Sequence, residues 1–159
     1  MGEAKLALPV SEEDVLRANL YRLLATTLRV GPSRQDLDMF ADMQGDDTPI
    51  GQAVSAITRV AAKSSPEEVS REFHDLFIGV GRGELVPYGS YYLTGFLHEK
   101  PLARLRNDMS RLGIERRDDV AEPEDHIAAL CEMMAGLIVG DFGEALDLEE
   151  QKKFFQAHI

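Results

Sequence analysis

Tryptophan is absent from the 159 residues, aromatic residues of all kinds make up only 7%, and the sole cysteine is Cys131. A lone thiol excludes an intrachain disulfide and any multi-cysteine zinc or iron–sulfur site, and it suits a reducing compartment. No apolar run approaches the ~20 residues that a membrane-spanning helix needs. The opening stretch, residues 1–10, holds one lysine before a short Leu-Ala-Leu-Pro run, too brief and too broken for a secretory signal. A cytoplasmic protein is therefore expected. Positive charge is scarce as well: Lys+Arg 17 against Asp+Glu 28 leaves a net charge of −11. Such a field repels phosphate backbones and attracts basic partners over about a Debye length, which argues against nucleic acid and for a basic peptide.

What is present reads as a helical globule. Hydrophobic residues at 44% and charged residues at 28% are ordinary for a folded domain, and a chain of this size buries about 70% of its unfolded surface. Ser11 with Asp14 forms a capping-box pattern ahead of Val15, Leu16, Leu20, Leu23, Leu24 and Leu28, predicting a helix over 11–29 that Gly31-Pro32 ends. A second helix starts near Ser33 and stops at Gly45-Asp46-Asp47, and a third covers 49–63. Ser64-Ser65-Pro66-Glu67-Glu68 opens a fourth that carries Val69, Phe73, Leu76 and Phe77.

Gly79, Gly81, Gly83 and Pro87 make the following stretch a long surface loop. Helical spacing resumes over 90–97 and 101–112, where Leu102, Leu105, Met109 and Leu112 form a stripe closed by Gly113, with Arg104, Arg106 and Arg111 largely off it. An acidic linker at Asp118-Asp119 leads to Glu122-Pro123-Glu124-Asp125, another helix start. The segment 127–139 is apolar on most faces and should be the central helix. A last amphipathic segment covers 146–155. With no strand pattern of useful length and no repeat, the expected fold is all-α, a single-domain bundle of about seven or eight helices over residues 1–159.

Few residues offer catalytic chemistry. His74, His98, His126 and His158 are scattered, without a metal-ligand spacing, so neither a metal nor a cofactor is expected. Asp125-His126 follows a proline at a helix start, where the carboxylate can cap and hold an imidazole tautomer, or the pair can form a polar point at the mouth of a groove. No nucleophile motif accompanies it, so no catalytic residue is assigned. Gly79-Val80-Gly81-Arg82-Gly83 has neither the Gly-Lys-Ser/Thr ending nor the Rossmann spacing of a nucleotide loop. The cluster of Leu76, Phe77, Val86, Pro87, Tyr88, Tyr91, Tyr92 and Phe96 can line a groove for an apolar peptide face, with acids at its rim.

Three stretches together resemble the TorD/DmsD/NarJ family of redox-enzyme maturation chaperones. They are Phe73-His74-Asp75-Leu76-Phe77-Ile78-Gly79-Val80-Gly81; then Pro87-Tyr88-Gly89-Ser90-Tyr91-Tyr92-Leu93 with Pro101-Leu102-Ala103 and Leu112-Gly113-Ile114; and Glu122-Pro123-Glu124-Asp125-His126-Ile127, similar to the family's Glu-Pro-x-Asp-His signature. The resemblance implies a TorD-like helical chaperone that binds the twin-arginine signal peptide of a molybdenum-cofactor oxidoreductase and holds the apo-form of its catalytic subunit until the cofactor is inserted, without catalysis of its own.

Carried over by residue, the peptide-binding positions are Leu76, Phe77, Pro87, Tyr88, Gly89, Ser90, Tyr91, Glu122, Pro123, Glu124, Asp125 and His126. Leu76 and the aromatics would bury the leader's apolar stretch, and the acids would meet its arginines. General similarity leans to a formate dehydrogenase or dimethyl sulfoxide reductase-type client. Family members continue past a His-x-x-Pro-Trp-like hinge, whereas this sequence stops at His158-Ile159, so C-terminal helices are expected to be lacking and exposed apolar faces to favour a homodimer by domain exchange. Two alternatives stand beside the leader-binding chaperone: an adaptor for the mature part of a redox enzyme, and a GTP-binding or hydrolysing protein that uses the glycine run and His126.

Overall fold

A computed structural model describes residues 10–159 except Arg82 and Asp118, so the opening stretch, Arg82 of the glycine run and Asp118 of the acidic linker lie outside the described residues. The described residues form eight α-helices: α1 (Glu12–Arg29), α2 (Arg34–Ala41), α3 (Pro49–Ala61), α4 (Pro66–Phe73), α5 (Gly89–Thr94), α6 (Lys100–Arg111), α7 (Ile127–Val139) and α8 (Leu148–His158). A π-helical turn, His74–Ile78, extends α4. No strand occurs among them beyond one isolated antiparallel bridge, Tyr88 with His126. The fold class is all-α, as expected.

The helix starts follow local chemistry. Ser11 Oγ accepts the Asp14 N–H at 3.1 Å. Ser33 and Ser65 each complete a reciprocal capping box, with Asp36 and Glu68 respectively, and Thr48 and Asp147 cap α3 and α8. Each such cap is worth about 1 kcal/mol. Gly113 follows α6 at φ 72°, the left-handed turn that the sequence placed there.

The chain divides into two compact units, one formed by the segment up to Arg29 together with Pro87–Ile159, the other by Val30–Val86. In the first, α7 is buried on nearly every face: Leu130, Cys131, Met134, Ala135, Leu137 and Ile138 are all nearly inaccessible. All of these except Cys131 pack with Ala18 of α1, Leu102, Leu105 and Met109 of α6, and Phe154 of α8. Each fully buried leucine contributes about 2 kcal/mol, which makes this cluster the unit's main source of stability. Burial pushes the Cys131 thiol up to about 11, so it stays protonated and serves as a packing residue. No helix among the described residues is long and apolar enough to cross a membrane.

In the second unit α2 and α3 pair through Leu37, Phe40 and Val54. The chain leaves α4 without a break, since Phe73 keeps helical angles and offers no side-chain cap. The Gly79 N–H reaches the His74 carbonyl at 2.7 Å, five residues back, closing the π turn. The stretch after it is a surface loop, as its glycines predict, with Val80 fully exposed, but it is tied back to the turn. The Leu85 N–H returns to the Leu76 carbonyl at 2.7 Å, and Gly83 is buried against the turn. Glycine is needed there for close approach to the backbone of Leu76 to Ile78.

Candidate functional site

The Pro87–Ser90 and Glu122–Ile127 stretches, far apart in sequence, are joined side by side in the first unit. The Ile127 N–H donates to the Pro87 carbonyl at 2.8 Å, and the Gly89 N–H to the Asp125 carbonyl at 2.9 Å, bracketing the bridge between Tyr88 and His126. The bracket fixes the side chains. The Tyr88 ring meets the His126 ring edge-on with centroids 5.1 Å apart, and the Tyr88 hydroxyl donates to Glu122 Oε2 at 3.1 Å. The same oxygen lies 3.6 Å from His126 Nε2. Burial, Glu122 and Asp125 push the Tyr88 hydroxyl up to about 12, so it remains a donor throughout the neutral range.

Asp125 and His126 divide the capping role differently from the sequence expectation, in which Asp125 caps the helix that follows it. His126 is the N-cap of α7, its Nδ1 accepting the Ala128 N–H at 3.1 Å. Asp125 instead accepts the Ser90 N–H at 2.8 Å and so caps α5 across the bridge. The swap has a geometric cause. His126 occupies the last extended position before α7, while the Asp125 side chain projects toward the free N–H groups of the neighbouring short helix. Asp125 Oδ1 and Ser90 Oγ are buried with no protein partner.

The acidic residues of the signature are not equivalent. The Glu124 side chain is only 8% exposed and lies between two guanidinium groups. Arg106 Nε and Nη2 donate to it at 2.9–3.2 Å, and Arg116 Nη1 lies at 3.5 Å. Burial pushes the Glu124 carboxyl up, but the Arg106 hydrogen bonds and the nearby positive charges outweigh it and hold it below its usual value. Glu122, 59% exposed, is the carboxylate that faces solvent. Pro123 and Gly89 are half-buried, as is Tyr91, whereas Tyr92, Leu93 and Phe96 on and just after α5 are each about two-thirds exposed.

Leu76 and Phe77 belong to the second unit, where both are half-buried on the π turn and Phe77 packs against Phe73 with centroids 4.9 Å apart. Sequence reasoning missed Arg106 and Arg116. Arg106 was legible only as a residue off the apolar stripe of α6, and nothing in its local pattern signals a partner eighteen residues on. Among the described residues no group of three or more histidine, cysteine or acidic side chains is placed to hold a metal ion.

His126 makes the site sensitive to acid. Burial holds its imidazole below the ordinary value, opposed by Glu122 and Asp125 and reinforced by Arg29. Protonation must also place a hydrogen on Nδ1 and so break the cap on α7. Because the folded-state value is depressed, the associated stability is fully present above about 6.5 and drains as the pH falls through the depressed value. Thermal midpoints of wild type and His126→Asn, whose amide can also cap, are expected to converge between pH 7 and pH 5. Parallel curves would show that His126 does not titrate with folding.

The site is thus a cross-linked polar turn on a helical scaffold, in which the charged groups engage one another. The chain belongs to the nitrate reductase delta subunit family, whose sequence profile matches residues 43–159, and so to the redox-enzyme maturation chaperones. It is similar to the chaperone protein TorD of Vibrio atlanticus strain LGP32, at 26% identity over 153 residues that span 87% of this chain and 71% of that protein. It is also similar to TorD of Vibrio cholerae serotype O1 strain M66-2, at 27% identity over 158 residues covering 94% of this chain and 67% of the relative. These relatives are named as chaperones, and the family is one of chaperones rather than catalysts. A crystal structure assigned as a redox enzyme maturation protein of Archaeoglobus fulgidus shares the fold, with a TM-score of 0.59 at 18% identity over 98% of this chain and 85% of that one.

Proposed function

We propose that this chaperone acts in the cytoplasm, binds the twin-arginine signal peptide of a molybdenum-cofactor oxidoreductase, and holds the precursor until its cofactor is inserted, before export. The observation that carries this reading is the pairing, within one unit, of a solvent-facing carboxylate with an exposed apolar helix. Glu122 is held by Tyr88 and adjoins His126, while α5, which begins directly after Tyr88, exposes Tyr92 and Leu93 and leads into the equally exposed Phe96. A leader carries arginines followed by an apolar stretch, and those two features match an acidic point beside apolar surface.

In this reading Glu122 receives an arginine directly. Asp125, Glu124, Gly89, Ser90 and Pro123 shape the turn, and Pro87, Tyr88 and Tyr91 supply apolar and aromatic surface in the same unit; Leu76 and Phe77 form a separate apolar point on the π turn of the other unit. The chain then works as a single chaperone domain, and its client is of the formate dehydrogenase or dimethyl sulfoxide reductase type. The net charge of −11 favours encounter with a basic leader.

Calorimetric titration with a synthetic twin-arginine leader is expected to show saturable micromolar binding that weakens with salt. Glu122→Ala is expected to lower the affinity about tenfold, the cost of one lost charge-assisted contact. Replacing the arginine pair of the leader by glutamines should then reproduce most of that loss in the wild-type protein. Absence of binding by folded protein across leaders from several molybdoenzymes would overturn the reading.

A further inference from the structure

Helix α5 is turned inside out. Its one buried residue is Ser90, whereas Tyr92 and Leu93, and Phe96 just beyond its end, are each about two-thirds exposed. A surface helix ordinarily lays its apolar side chains against the core and its polar ones in water. Burial of apolar surface therefore does little to hold α5 in place. Six residues are also too few for a helix to persist by its own backbone hydrogen bonds.

Polar contacts hold it instead, and they are incomplete. At its start the Ser90 N–H donates to Asp125 Oδ2 at 2.8 Å and the Gly89 N–H to the Asp125 carbonyl at 2.9 Å. In the same latch Asp125 Oδ1 and Ser90 Oγ are buried with no protein partner, which favours any rearrangement that offers them one. At its end the helix closes on Gly95 at φ 80°, and His98, three residues further on, sits at φ 61°. His98 is the one non-glycine residue with a positive φ among those described, so backbone strain lies directly after the helix.

We propose that α5 is a strap that unlatches from Asp125 when the leader binds. The Ser90 N–H lets go of the carboxylate, which is then free for a donor of the leader, and Tyr92, Leu93 and Phe96 turn onto the leader's apolar stretch. The bridge between Tyr88 and His126 stays formed, so the motion pivots between it and the strained segment at Gly95 to His98. This inference rests on the leader reading and adds a moving part to the same site. Because unlatching draws on the binding free energy, whatever stabilises the latched form weakens binding by the same factor.

Hydrogen exchange read by NMR at the amide of residue 90 tests the strap on the full chain. In the free protein this amide, although buried, should exchange at least about tenfold faster than the Leu130 amide of α7, which bonds to the His126 carbonyl. Ser90→Ala removes the unpartnered hydroxyl and no charge. It should slow exchange at residue 90, raise the thermal midpoint and weaken binding of a synthetic twin-arginine leader about fivefold, so that the more stable protein binds less well. His98→Gly, at an exposed position, should slow that exchange and weaken binding in the same direction by relieving the backbone. Saturating leader should speed exchange at residue 90 in the wild type. Protection of residue 90 by the leader, or unchanged affinity in Ser90→Ala, would overturn the strap. If no leader binds, the leader reading fails by itself and the free chain decides: exchange at residue 90 as slow as at Leu130 overturns the strap, and fast exchange that Ser90→Ala slows upholds the unlatching.

Discussion

Arg106→Ala is expected to destabilise the protein by about 3 kcal/mol and to invert the pH response of a single carboxyl group. The size follows from an asymmetry in the ion pair. Glu124 is 8% exposed and relies on Arg106 for three hydrogen-bond contacts, whereas the Arg106 side chain is half in solvent. Removing the arginine leaves a buried carboxylate whose one remaining charged partner is the more distant Arg116, while removing the glutamate lets two arginines regain water. Glu124→Gln should therefore cost less than Arg106→Ala.

In the wild type the Glu124 carboxyl is held below its usual value, so it contributes stability that is present above about pH 4.5 and is lost as the pH falls through the depressed value. Without Arg106, only a backbone hydrogen bond and the Arg116 charge oppose burial, the largest influence on this carboxyl, and its value is expected to rise above the unfolded one. The deficit of the variant is then full at neutral pH and shrinks as acid protonates Glu124. Urea unfolding of both proteins at pH 7 and near pH 5 measures the gap. A gap that stays constant, or a variant that unfolds at the wild-type urea concentration, would refute the assignment. Since Glu124 shares a turn with Glu122 and His126, the same variant should also weaken leader binding.

This ion pair shows where the sequence stops being informative. Helix positions are encoded locally, by caps and by the period of apolar side chains, and α7 occupies the very span that its run of apolar residues predicts. The signature residues were legible as a motif, but their roles are not local. Asp125 acts on Ser90, Glu122 on Tyr88 and Glu124 on Arg106, three partners separated by 35, 34 and 18 positions. Side chains of the same type and near the same place in the sequence thus end with opposite fates, one exposed and two buried. Only the bridge between Tyr88 and His126, a tertiary contact without a periodic signal, decides which is which. The glycine run is the surface loop that its composition predicts, but the packing of Gly83 within it was not legible, because a glycine selected for close packing and one selected for flexibility look identical in a sequence.

Gly83→Ala is the sharpest test of that packing. Its Cβ would lie 2.4 Å from the Phe77 carbonyl carbon, 2.6 Å from the Leu76 oxygen and 2.8 Å from the Ile78 nitrogen. All three are backbone atoms of the π turn, so no side-chain rotation relieves the clash, and either the turn or the returning segment must move. Overpacking of this kind costs about 3 kcal/mol, and displacement would strain the Leu85 to Leu76 hydrogen bond that closes the segment. Gly81 is the internal control: its φ of +92° opposes an alanine, but nothing lies within 4 Å of its Cβ. Gly81→Ala should thus cost only about 1 kcal/mol, through backbone conformation alone. Thermal melts of the two variants should rank Gly83→Ala well below Gly81→Ala and the wild type. Because Leu76 and Phe77 are presented by the turn that Gly83 supports, leader affinity should follow the same order. Equal melting of the two variants would mean that Gly83 is not packed against the turn, and that the π turn is held by α4 alone.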